Sequence, residues 1–322
     1  MRIFVAGATG AIGKRLVPML VEAGHTVTGT TRSPDKTEAI RSAGAVPEVI
    51  DALDARAVLG AVERAKPDVI IHELTAIPPK LDFRSFEQDF ALTNRLRSEG
   101  TDNLLAAAQA AGCRRFIAQS FAGWPLERKG SWVKNEDDPF VSSPEPGFRG
   151  VLSAIQHLES AVLGGAEGFV LRYGGFYGPG TSLAEGGSML EAVRERRVPI
   201  VGRGTGYWSF THIDDAAAAT VAAVSARVPG VYNITDDEPA PVSEWLPYLA
   251  DAIGAKPPRH VPVWLARMLI GALGVAMMTE VRGASNQKAK ALLDWKLKFP
   301  SWRSGFRKGL RASCEEPVAA HR

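Results

Sequence analysis

The chain has 322 residues, 45% of them apolar and 23% charged, with a formal net charge of +3. These proportions exclude a disordered tail, a collagen-like fibre and a coiled-coil rod, and so small a basic excess gives no reason to expect nucleic acid as the main partner. The length suits two domains, or one large domain with an appended lobe.

The elements follow in chain order. Residues 2–6 are apolar and β-prone. Residues 11–23 carry Ile12, Leu16, Met19 and Leu20 at helical spacing. A second strand is expected at 26–30, then a helix at 34–43 with Ser33 as N-cap and Pro34 at its first position. Strands at 46–50, 68–71 and 115–119 alternate with helices at 55–65 and 83–111. Residues 121–147, rich in Pro, Gly, Trp and charge, read as a long loop, and such loops tend to be functional. A helix at 150–163 and a strand at 169–173 complete the regular part. This alternation predicts an α/β fold with a parallel sheet and helices on both faces. The texture changes near Gly174, after which one return to the sheet is expected at 230–233.

Cys113 and Cys314 form no Cys-x-x-Cys pair and have no second ligand nearby, so neither a disulfide framework nor a zinc site is expected. Two free thiols suit a reducing, cytoplasmic setting. The chain opens Met1-Arg2-Ile3-Phe4-Val5 straight into a strand, without the pattern of a secretion signal. Residues 268–278 are unbroken apolar but shorter than the roughly 20 residues that cross a bilayer, and read as a buried or interface helix rather than a membrane span.

Gly7-Ala8-Thr9-Gly10-Ala11-Ile12-Gly13 lies between the first strand and the first helix. In that setting the three glycines permit a sharp turn, close backbone approach to a diphosphate, and tight packing of helix on strand. The unpaired N–H groups of the first helical turn then favour an anion. After the second strand comes Thr30-Thr31-Arg32-Ser33, with no carboxylate for the ribose hydroxyls until Asp35. Arg32 and Ser33 could hold a 2′-phosphate, which favours NADP(H), with NAD(H) as the alternative. Asp51 and Ala52, after the third strand, are placed to meet the adenine edge, although Asp51 could equally cap the next helix.

Several landmarks now combine. They are Val69-Ile70-Ile71-His72-Glu73-Leu74-Thr75-Ala76, Asn94 followed by Gly100-Thr101-Asp102-Asn103-Leu104-Leu105, Phe116-Ile117-Ala118-Gln119-Ser120, Leu171-Arg172-Tyr173-Gly174-Gly175-Phe176-Tyr177-Gly178-Pro179-Gly180, and Phe210-Thr211-His212-Ile213-Asp214-Asp215-Ala216. In order and spacing the chain resembles the extended or atypical short-chain dehydrogenase/reductase superfamily, in its NAD-dependent epimerase/dehydratase branch. The resemblance implies a Rossmann domain at 1–173, a smaller C-terminal substrate lobe at 174–322, and a nicotinamide dinucleotide. It also implies that Leu74, Thr75 and Ala76 line the cofactor, and that Gln119, Ser120, Tyr173, Gly174 and Phe176 lie near the nicotinamide. A homodimer through 83–111 and 150–163 is in keeping with it.

The departure from the family is chemical. Its usual Tyr-x-x-x-Lys pair passes a proton to a substrate oxygen, the lysine lowering the phenol's pKa. None of the five tyrosines here has lysine four residues later. Anchoring the helix on Glu159 puts Val151 in the tyrosine place and Ile155 in the lysine place. Ser120 and Tyr177 remain as catalytic candidates. Tyr177 could instead be a packed aromatic, and an unactivated serine is a poor acid. His157 reads as structural. His212-x-Asp214-Asp215 reads as a helix cap rather than a metal site. The leading expectation is an NAD(P)-dependent oxidoreductase or epimerase-like enzyme acting on a small polar, sugar-like or natural-product substrate, with a non-standard proton-transfer set. The alternative is a non-catalytic NADP(H)-binding redox sensor.

Overall fold

A computed structural model describes residues 1–78, 80 and 82–311. Seven strands form one parallel sheet: β1 (Arg2–Ala6), β2 (Thr26–Thr31), β3 (Val46–Val49), β4 (Val69–His72), β5 (Arg115–Phe121), β6 (Glu167–Tyr173) and β7 (Gly230–Ile234). Their spatial order is β7-β6-β5-β4-β1-β2-β3, all neighbours parallel. The central strands are continuous apolar runs because both sheet faces are covered. On one face lie α1 (Gly13–Glu22) and a later helix at Ile213–Ser225, burying Ile3, Val5, Leu16, Leu20 and Ile213. On the other lie helices at Ala55–Ala65, Thr101–Ala110 and Arg149–Leu163, burying Phe4, Val58, Leu104, Leu158 and Val170. These are called α2 (Ala55–Ala65), α3 (Thr101–Ala110), α4 (Arg149–Leu163) and α5 (Ile213–Ser225). This is a doubly wound Rossmann fold, and the strand order reverses between β1 and β4, where such sheets open a crevice at the strands' carboxyl ends.

A further apolar cluster gathers the C-terminal segments around Trp245, Trp302, Phe210 and Phe306. It also takes in Phe86, Phe90, Val151 and Ile155, so the layers share residues from both sides of position 174.

Several elements differ from the sequence pattern. The expected helix at 83–111 is broken into Phe86–Asp89, Ala91–Arg95, a π-helical turn at Leu96–Gly100, and α3. Two hydroxyls compete there for carbonyls one turn back: Ser98 Oγ donates to Asn94 O at 2.9 Å and Thr101 Oγ1 to Arg97 O at 2.6 Å, a pattern that bends helices. The 34–43 helix begins as a 3₁₀ turn, Pro34–Lys36, and Ser33 stands before it without a side-chain cap. The apolar run lies in a helix, α6 (Val263–Thr279), interrupted at Gly271, whose φ is +73°. Its second half is buried, whereas Met268 is 67% exposed. No helix among the described residues is long and apolar enough to cross a membrane. Cys113 is a free thiol, and Cys314 lies outside the described residues.

Candidate active site

The glycine loop is shaped by close approach. Gly7 has φ +98°, and a Cβ on it would lie 2.8 Å from the Glu73 carbonyl oxygen. A Cβ on Gly13 would lie 2.3 Å from the Gly7 carbonyl oxygen. The loop is pinned to β2 by Ala8 N–H, which donates to Thr30 O at 3.2 Å. The N–H groups of Thr9, Ala11 and Ile12 make no backbone hydrogen bond among the described residues. Tight glycines and free donors at a ten-residue helix's N-terminus fit a diphosphate. Arg32 follows β2, exposed and without a partner among the described residues, and Ser33 is half-buried beside it. Asp51 Oδ1 accepts from Leu53 N–H at 3.0 Å. It does not cap α2, since Asp54 does so, accepting from Arg56 and Ala57 N–H at 3.0 and 3.1 Å. Ala52 is buried, and its carbonyl accepts from Asn103 Nδ2 at 2.9 Å.

The chain after β4 is held from behind. His72 Nδ1 accepts from Leu74 N–H at 3.2 Å, which leaves Nε2–H to face Leu96 O at 3.3 Å and Thr101 Oγ1 at 3.1 Å. Burial lowers the His72 pKa to about 4, so it is neutral. Thr93 Oγ1 accepts from Ala76 N–H at 3.0 Å. Leu74, Thr75 and Ala76 therefore form a fixed wall, with Thr75 exposed.

Beneath the loop lies a chain of polar contacts that no sequence pattern announces. Tyr173 donates to Glu73 Oε1 at 3.1 Å and is paired with Thr220 Oγ1 at 2.7 Å. Burial raises the Glu73 pKa to about 8, with the Tyr173 bond pulling the other way. The Tyr173 ring is buried with the α1 and α5 residues and its hydroxyl is tied to Thr220 of α5. Phe176, half-buried, lies 5.3 Å from it. Gly174 N–H donates to Thr211 Oγ1 at 3.0 Å, and a Cβ there would lie 2.7 Å from Ser209 O.

At the end of β5 the side chains form a closed network. Ser120 Oγ donates to Glu159 Oε1 at 2.6 Å. Arg172 grips the same carboxylate with two bonds, Nε to Oε1 at 2.9 Å and Nη2 to Oε2 at 2.6 Å. All three residues are buried. The serine proton is thus committed to a carboxylate that is itself paired. Gln119, its buried neighbour, is paired in register with Leu171. On α4, Val151 and Ile155 are both buried in the C-terminal cluster.

Tyr177 as a catalytic phenol is corrected. It is 0% exposed and its hydroxyl has no partner among the described residues. Its ring meets His212, Phe306 and Phe299 at 5.1, 5.4 and 6.5 Å, and a Cβ on Gly305 would collide with it. Burial drives its pKa far up, so it is a core phenol with no substrate in reach. His157 pairs with Asp102 at 2.8 Å on the surface. His212, rather than either aspartate, caps α5 by accepting from Asp214 N–H at 3.2 Å. No group of three possible metal ligands occurs among the described residues.

The model of the NAD dependent epimerase/dehydratase family matches residues 3–235. The chain belongs to that family. It is 44% identical over 309 residues to a Streptomyces protein named 3-diazoavenalumate denitrifying reductase, a match covering 95% of this chain and 99% of the relative. UDP-glucose 4-epimerase of Thermotoga maritima has the same fold, with a TM-score of 0.73 at 22% identity, covering 96% of this chain and 97% of that one. A human epimerase family protein solved with NADPH gives 0.71 at 20%, covering 96% and 99%. This epimerase/dehydratase-family chain is accordingly an NAD(P)-dependent enzyme of the oxidoreductase or epimerase type.

Glu73 yields a pH prediction. Its folded pKa of about 8 lies above the ordinary 4.5. Between those values the folded state holds a proton that the unfolded state has lost, so the Glu73 contribution to stability falls as pH rises from about 4.5 to about 8 and is level above, opposed below about pH 6.5 by His72, whose pKa is lowered. Glu73→Gln is expected to flatten that slope in denaturant melts taken from pH 5 to 9. An unchanged slope would place the titrating group elsewhere.

Proposed function

We propose that this protein is an NADPH-dependent reductase that removes the nitrogen of a diazo-bearing carboxylate. The 44% identity across nearly the full length of the denitrifying reductase carries the reading, since that relative's name describes reductive loss of nitrogen from a diazo compound. The chemistry of the site supports it. Carbonyl reduction needs a hydride and a proton, and the family's phenol delivers the proton. On the alignment anchored at Glu159, α4 would carry Val151 and Ile155 in those places; Ser120 is tied to Glu159 and Tyr177 is buried. When bound, the reduced nicotinamide supplies a hydride. For a diazonium group, R–N₂⁺, the net change breaks the C–N bond, forms a C–H bond and releases N₂. The hydride's negative charge cancels the cation's positive charge, so no net proton is required.

The chain's own residues bind and orient. Thr9, Gly10, Ala11 and Ile12 hold the diphosphate, Asp51 the adenine edge, and Leu74 to Ala76 the wall beside the nicotinamide. The Ser120–Glu159–Arg172 network acts as a positioning group. Arg32 and Ser33 take the 2′-phosphate, with Lys14 and Lys36 lining the adjoining groove beside Thr9.

Incubation of the enzyme with NADPH and an arenediazonium carboxylate is expected to consume NADPH and release one N₂ and one deaminated acid per NADPH. Reduction of a 3-oxo acid with no release of N₂ would overturn the reading. Arg32→Ala is expected to weaken NADPH binding by about tenfold, the scale of a lost charge-assisted contact, and to leave NADH binding unchanged in fluorescence titrations. Equal affinities for NADPH before and after the change would remove the 2′-phosphate assignment.

A further inference from the structure

Arg97 lies in the π-helical turn that precedes α3 and is 2% exposed. Its guanidinium makes no hydrogen bond or ion pair with any described residue, and Nε and Nη1 are fully buried without partners. Burial lowers its pKa only to about 10, so it stays charged at neutral pH. What holds it is the face of Phe121, 4.9 Å away, and the more distant ring of Phe90 at 6.0 Å. The nearby carboxylate, Glu159, raises the Arg97 pKa through its charge but is hydrogen-bonded by Arg172 and Ser120 and makes no hydrogen bond to Arg97. This interior therefore holds two guanidinium groups and one carboxylate. A buried charge without a counter-charge is strongly unfavourable, and π-helical turns are frequent at functional sites.

An anion is missing from this balance. In a nicotinamide-dependent enzyme it comes either from the cofactor phosphates or from the substrate. The diphosphate belongs to the loop after β1. Because β4 lies between β1 and β5, those two strands are about 9.6 Å apart, and Arg97 sits over Phe121, the last residue of β5. The nicotinamide ring offers no negative charge. The substrate remains. Phe121 in turn stacks on Trp124 at 5.8 Å with an interplanar angle of 8°, a flat wall suited to an aromatic ring.

We propose that Arg97 binds the carboxylate of an aromatic-acid substrate whose ring lies along Phe121 and Trp124. Nη2, the one guanidinium nitrogen not sealed off, is where the carboxylate approaches. This deepens the function proposed above and rests on its reading of the chain as a nicotinamide-dependent reductase of a carboxylate. It does not depend on the diazo chemistry.

The test is calorimetric titration of the NADP⁺-saturated enzyme with cinnamate and, as its neutral counterpart, cinnamyl alcohol. Wild type is expected to bind cinnamate at least about tenfold more tightly than the alcohol, and Arg97→Met to lose that preference, on the scale of charge-assisted contacts. Arg97→Lys, which keeps the charge but not the planar fork, is expected to fall between them. NADP⁺ affinity should stay the same in all three. Arg97→Met should melt no lower than wild type, because it removes an unpaired buried charge. Unchanged cinnamate binding in Arg97→Met, no binding by wild type, or a loss of NADP⁺ affinity instead would overturn the assignment. Should Arg97→Met not fold, equal cinnamate binding by Arg97→Lys and wild type would do the same. A failure of diazonium reduction with cinnamate binding intact would overturn the reaction and leave Arg97's role standing.

Discussion

Arg172 and Glu159 meet in the buried interior at 2.6 Å, and the geometry of the site follows from that contact. Arg172 belongs to β6 and Glu159 to α4, and Ser120 brings in β5 through the same carboxylate. Arg172 also donates to Glu136 O at 3.3 Å and lies 5.1 Å from the Phe140 ring, so the irregular 121–147 segment is anchored too. Burying such a pair costs several kcal/mol per ion before the mutual attraction offsets it. The pair is therefore a poor source of net stability. What it does supply is a fixed arrangement of two strands, a helix and a loop around one end of the crevice.

Burial moves three ionisable groups of this interior away from their ordinary pKa values. His72 is neutral because desolvation brings its pKa to about 4. Glu73 is protonated, but it is sealed under the glycine loop and bonded to Tyr173. Arg97, with its pKa lowered to about 10, is still a cation at neutral pH. On the function proposed above, such a site suits a hydride acceptor that is itself cationic better than a ketone. The same charge balance leaves one cation over, which is the physical reason for expecting an anionic substrate.

Much of the fold was legible in the sequence because its signals are local. Apolar strands bounded by turns, and helices at 3.6-residue spacing, give the order of elements directly. The glycines at 7 and 13 were legible for the same reason, since each marks a place where a Cβ has no room. The broken helix at 83–111 was not, because the hydroxyls at 98 and 101 that bond backbone carbonyls around its π-helical turn leave no mark in the apolar pattern. The sequence left Tyr177 open between a catalytic phenol and a packed aromatic because nothing near it reports the later arrival of Phe299, Gly305 and Phe306 around its ring. Arg97 and Glu73 went unnoticed for the opposite reason. Charged residues on a helix or after a strand are ordinarily solvated, and only the packing shows that these two are buried. The one signal available was Glu73 itself, a carboxylate directly after the apolar run Val69-Ile70-Ile71.

The central claim is that hydride transfer in this site proceeds without a protein proton donor. The direct measurement is the solvent deuterium isotope effect on kcat/KM for reduction of an arenediazonium carboxylate by NADPH. The account predicts the same rate in deuterium oxide as in water. A rate that falls in deuterium oxide, and recovers in proportion to the light-water fraction, would mean that a proton is moving in the transition state and would contradict it.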